Sequence, residues 1–236
     1  MLTAGLSDAT VDDFFARCPT AAEIQSLTAD IPIAFETDST AGTAACKASE
    51  GSFDLSRLQK RVYQSLLIMK ILAFDAPLPW TDKSLSAWFF GTVDAIRVRA
   101  DIENSFCCDP KVVINIKIAG NSYLMLTDRR IDPSIGGGLM DTMVLYVHEA
   151  RHNEGHGHTC NGGIDDQTVT EMGSWGVQYY LLQWLAQHSD PVFFRAPDGD
   201  PDLHRRIALA QMLSIRKSRF CDEPTLTPGA TPTLAG

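Results

Sequence analysis

From Asp54 the chain sets apolar residues at close to helical spacing: in DLSRLQKRVYQSLLIMKILAF they are Leu55, Leu58, Val62, Leu66, Leu67, Met69 and Ile71. Residues three and four apart share one face of a helix, so this pattern predicts a long amphipathic helix with Asp54 as its N-cap. PLPW interrupts it, because proline cannot continue a helical hydrogen-bond ladder. DKSLSAWFFGTVDAIRVRA then reads as a second helix, with Leu85, Trp88, Phe89, Val93 and Ile96 along one side.

The texture changes at KVVINIKI and SYLMLTD, two β-rich runs separated by AGN, which predict a hairpin turning at Gly120 and Asn121. After the breaker DPSIGGG, the segment LMDTMVLYVHEARHN is apolar enough to be a buried helix that stops at Gly155 and Gly157. CNGGIDD reads as loop, QTVTEMGSWGVQYYLLQWLAQH as a long helix capped by Asp165 or Asp166, and PDLHRRIALAQMLSIRKSRF as the site of a last helix. Residues 1–52 are loop-rich and weakly patterned, and the Pro/Thr-rich residues 223–236 read as a flexible tail. The expectation is one α+β domain over 1–222, mostly helical, with a small antiparallel sheet.

Composition narrows the partners. With 236 residues, 44% of them hydrophobic, the chain can bury a full core. The net charge of -9 gives no electrostatic footprint for nucleic acid, and the expected partner is a small molecule, a peptide or a protein substrate. No apolar run reaches the 18 or so residues of a membrane span. Six cysteines, Cys18, Cys46, Cys107, Cys108, Cys160 and Cys221, include no CxxC pair. They read as up to three disulfides in a secreted protein whose signal peptide has been removed, with reduced cysteines in the cytoplasm as the alternative. Adjacent Cys107 and Cys108 are expected to take different partners.

The chemistry concentrates in HEARHNEGHGHTC, residues 148–160, which holds four of the six histidines. His148, Glu149 and His152 form HExxH. On a helix, residues four apart lie one turn on, so two imidazoles can meet one metal ion while Glu149, about 100° round, faces its open side. Gly155 and His158 extend the motif to H-E-x-x-H-x-x-G-x-x-H, which chance would produce in such a chain on the order of once in 10⁵. A helix rises about 12 Å from residue 148 to 156, too far for a third imidazole on the same ion, so His156 is expected to be a bystander.

In these eleven residues the chain resembles the metzincin group of zinc endopeptidases. That resemblance implies a zincin-like fold with an active-site helix, Zn²⁺ on His148, His152 and His158, and peptide-bond hydrolysis with Glu149 as general base and then acid. It also implies an edge strand that pairs with extended substrate, for which SYLMLTD and KVVINIKI are the candidates. The Met-containing turn of that group has two candidates, Met172 and Met212, both in sequence that reads as helix. A second zincin group, the gluzincins, takes a Glu from a later helix, and Glu171 sits at the HExxH-x18-E spacing. The third ligand is therefore His158 or Glu171.

Other readings fit less well. Ferritin-like di-iron proteins need two ExxH helices, and only Glu149 and His152 supply one. Peptide deformylases need an upstream cysteine motif that is missing here. The rival of another class is a secreted, disulfide-stapled interaction module whose zinc is structural or vestigial. Cys160 reads as a loop staple and Arg151 as partner of a local carboxylate. Tyr146, Tyr179, Tyr180, Trp175 and Trp184 read as core, and His188 and His204 as surface.

Overall fold

The computed structural model describes residues 18–35, 46–47, 54–55, 57–71, 78–99, 101–108, 112–117, 139–188 and 203–223. It is a mixed helix and strand architecture. The predicted hairpin turn at Gly120 and Asn121, the run SYLMLTD and most of the 223–236 tail lie outside the described residues.

The first described element is a helix, α1 (Ala21–Asp30), inside the stretch that reads as loop-rich. Its start is a capping box: Thr20 Oγ1 accepts the Glu23 N–H at 3.2 Å, and the Glu23 carboxylate accepts the Thr20 N–H at 2.8 Å. β1 (Ile33–Phe35) follows, then a two-stranded antiparallel ribbon of β2 (Cys46–Lys47) and β3 (Asp54–Leu55). Asp54 thus lies in a strand and does not cap the next helix, α2 (Arg57–Ile71), which buries Val62, Leu66, Ile68 and Met69.

α3 (Leu85–Thr92) is capped by Ser84, whose Oγ accepts the Ala87 N–H at 3.2 Å. It stops earlier than expected. Ala95–Arg99 is a strand, β4, with Ile96 and Val98 buried and their neighbours half-buried. The segment satisfied both periods, and β-branched residues alternating across a pleat settle it as strand. β5 (Phe106–Cys107) and β6 (Val113–Lys117) complete a four-stranded sheet of order β1-β4-β6-β5.

The sheet corrects the antiparallel expectation: β1 with β4 and β4 with β6 run parallel, and only β5 is antiparallel. The chain between β1 and β4 contains α2 and α3, and a crossover of that length is what parallel neighbours require. β6, the strand of KVVINIKI, is interior to the sheet and offers no edge.

α4 (Leu139–Asn153) crosses this framework, packing against α2, α3, β5 and β6 on one side and α5 on the other. Tyr146 and Phe89 meet in the core at a ring separation of 5.9 Å. Tyr146 and Tyr179 are buried as expected, and Tyr180 and Trp184 pack half-buried against the core. The helix expected from Gln167 begins only at Ser174, as α5 (Ser174–His188). Before it lies a 3₁₀ turn, Val169–Glu171, closed by Met172 in the left-handed region at φ 56. Met172 therefore sits in a turn, whereas Met212 is buried in the last helix, α6 (Leu203–Ser218), which packs on α5.

Among the described residues two disulfides are placed with both partners. Cys160 bonds Cys221 across 61 residues, and Cys107 bonds Cys108, contrary to the expectation of separate partners. Cys108 takes the left-handed φ of 71, a local reversal of the chain between the paired neighbours. Cys18 is disulfide-bonded as well.

Candidate metal centre

The C-terminal turns of α4 carry His148, Glu149 and His152, on a helix seated by buried Met143, Val144, Val147 and Ala150. It ends as its glycine implies. The Gly155 N–H donates to the His152 carbonyl at 2.9 Å, and Gly155 adopts φ 88, a left-handed residue just past a helix end. A Cβ there meets nothing within 4 Å, so an alanine is opposed by backbone conformation alone. Gly155→Ala is expected to cost about 1–2 kcal/mol in chemical denaturation. Unchanged stability would show that the chain can leave α4 another way.

Beyond that turn the chain brings His158 back to the helix. Ring centroids lie 5.0 Å apart for His148 and His152, 5.3 Å for His148 and His158, and 4.7 Å for His152 and His158. One ligand nitrogen from each falls within 4.8 Å of the others, a group able to hold a metal ion.

Every ring in this group has its Nδ1 engaged. His148 Nδ1 faces Gln178 Oε1 at 3.1 Å, His152 Nδ1 the His156 carbonyl at 2.6 Å, and His158 Nδ1 an Asp166 carboxylate oxygen at 2.8 Å. All three partners are acceptors, so each Nδ1 carries the proton and each Nε2 keeps its lone pair. That is how metal-binding imidazoles are usually oriented. Burial holds His148 well below the usual histidine range, reinforced by His152 and His158, and burial likewise lowers His152. Both are neutral, the form in which imidazole binds a metal.

Glu149 is buried, and burial pushes its carboxyl up to about 8. Its Oε2 has no hydrogen-bond partner. Buried polar atoms are normally satisfied, so an orphaned carboxylate oxygen on the residue that follows His148 in the helix is what a site built around an ion and its water leaves. Three imidazoles are also a donor set suited to zinc. The residues fit the metal.

Comparison with known protein families, with curated proteins and with solved structures finds no match.

The remaining candidates are placed as follows. The Glu171 carboxylate accepts the Thr159 hydroxyl at 2.9 Å and the Gln167 N–H at 3.2 Å, and it is not part of the convergent group. His156 enters through its backbone carbonyl. Arg151 pairs with Glu154 at 2.6 Å and donates to the Met172 carbonyl at 2.7 Å, and Glu154 also accepts the Trp88 indole N–H at 3.0 Å. The side chains of His188 and His204 are outside the described set.

Four participants escaped the sequence reading. Trp175, read as core, lies edge-on to His148 at 4.4 Å and stacks on His158 at 5.8 Å. Arg219 lies over the Trp175 ring, its guanidinium carbon 4.5 Å from the ring centroid. Gln178 shares a helix face with Trp175, three residues away. Asp166, read as a cap for a helix from Gln167, instead accepts the Trp175 N–H in the first turn of α5 and faces His158 Nδ1.

Proposed function

We propose that the chain is a zinc-dependent metallopeptidase of zincin type, with His148, His152 and His158 as metal ligands and Glu149 as general base and acid. The observation that carries this reading is the convergence of the three motif imidazoles, each with Nδ1 tied and Nε2 free, on a helix that also carries the unpartnered buried oxygen of Glu149. Zinc in such a site supplies Lewis acidity, polarising a carbonyl and making water a stronger acid. Glu149 receives the proton of the attacking water and delivers it to the departing amine.

Among the described residues no fourth His, Cys, Asp or Glu joins the group, which supports an open catalytic position over a closed structural site. Met172, one of the two candidates for the Met-containing turn of the metzincin group, lies in a turn and not in a helix. Among the described strands β5, paired with β6 and packed against α4, is an edge onto which an extended peptide would add as a further strand. The disulfides favour an oxidising compartment, hence secretion.

The test is hydrolysis of an unstructured protein by the purified chain. Cleavage should vanish with a chelator and return with zinc. A zinc-loaded protein that cleaves nothing, with a fourth protein ligand on the ion, would favour the disulfide-stapled module with a structural site.

A further inference from the structure

Asp166 is fully buried, and its two carboxylate oxygens do different things. Oδ1 accepts the His158 Nδ1–H at 2.8 Å, while Oδ2 accepts the backbone N–H of Trp175 at 2.9 Å. Trp175 lies in the first turn of α5, where free N–H groups favour a carboxylate. The same helix presents Gln178, the acceptor for His148, and the Trp175 indole contacts both imidazoles. One carboxylate therefore joins the loop of His158 to the helix that orients His148.

Its own position is fixed from two further directions. The Asp166 N–H donates to the Arg219 carbonyl at 3.1 Å, and its carbonyl accepts the Cys221 N–H at 3.0 Å, beside the Cys160–Cys221 disulfide. At Gly173 a Cβ would fall 2.5 Å from Asp166 Oδ2, so the carboxylate occupies space that only glycine leaves.

We propose that Asp166 is the positioning residue of the centre: it fixes His158 in the Nδ1–H tautomer, with Nε2 free, and holds α5 in register with His148. This rests on reading the three histidines as a metal site, but the tautomer it predicts exists without metal. An ordinary helix cap makes a different prediction, because asparagine caps a helix as well as aspartate. In Asp166→Asn the amide oxygen can keep the Trp175 N–H only by turning its NH₂ toward His158. Nδ1 must then accept, and the ring proton moves to Nε2, the nitrogen the metal needs.

The experiment is ¹⁵N-histidine NMR of metal-free wild type and Asp166→Asn, with zinc titrated into each against a competing chelator. Wild-type His158 should be protonated on Nδ1 and the variant on Nε2. Zinc affinity should fall about 10–100-fold in the variant, as for loss of an outer partner of a metal-bound histidine, while the thermal midpoint of the metal-free protein stays close to wild type. Gly173→Ala should weaken zinc in the same direction by displacing Oδ2. A folded Asp166→Asn with unchanged tautomer and affinity overturns the proposal, as does a wild-type His158 protonated on Nε2 should the variant not fold. A wild type that binds no zinc overturns the metallopeptidase reading instead, and the tautomer comparison still decides the role of Asp166.

Discussion

Glu149→Gln lowers peptide hydrolysis by about 10²–10⁴-fold, the range for a lost general acid–base group, and leaves the zinc content at one per chain. The two halves of this expectation come from separate observations. Glu149 is not in the convergent group, so its removal takes no ligand nitrogen away. It is a buried acid with one unpartnered oxygen, and glutamine copies its shape without being able to accept and return a proton. Metal analysis and turnover on the same sample measure both. Activity within about threefold of wild type would remove Glu149 from the chemistry, since even a weak general base contributes more than that. Loss of zinc together with activity would show that the carboxylate acts as a ligand.

His158→Ala and Glu171→Ala separate the two candidates for third ligand. Removing His158 takes away one of three nitrogens, and zinc affinity should drop by more than the roughly 10–100-fold that loss of an outer partner costs. Removing Glu171 takes away two hydrogen bonds, from the Thr159 hydroxyl and the Gln167 N–H. At the usual net value for such bonds this costs about 1–2 kcal/mol of stability and leaves zinc stoichiometric. Competition titration on both variants decides between them. A Glu171→Ala protein that loses zinc as His158→Ala does would return the third place to the glutamate.

The legible parts of the chain were those where one local rule spoke without a competitor. The spacing of His148, Glu149, His152, Gly155 and His158 depends only on helix geometry and a glycine stop, and the structure brings those three histidines together. α2 was legible from its apolar stripe, although its cap was not, because Asp54 is drawn into a strand by Cys46 and Lys47. α1 carried its own signal in Thr20 and Glu23, overlooked among polar residues. Ile96 fitted two periods at once, three residues from Val93 as in a helix and two from Val98 as in a strand, and only the neighbouring strands resolved it. The parallel order of the sheet and the partners Gln178 and Asp166 are tertiary facts. Asp166 lies eight residues from His158 and Gln178 thirty from His148. No local pattern announces which acceptor will reach which ring.

The central claim is that His148, His152 and His158 bind one ion through Nε2. Zinc X-ray absorption on the purified, zinc-loaded chain tests it most directly. The expected spectrum has three imidazole nitrogens at about 2.0–2.1 Å and no sulfur neighbour, and it loses one imidazole in His158→Ala. A spectrum unchanged by that substitution, sulfur at about 2.3 Å, or a chain that retains no stoichiometric zinc would contradict it.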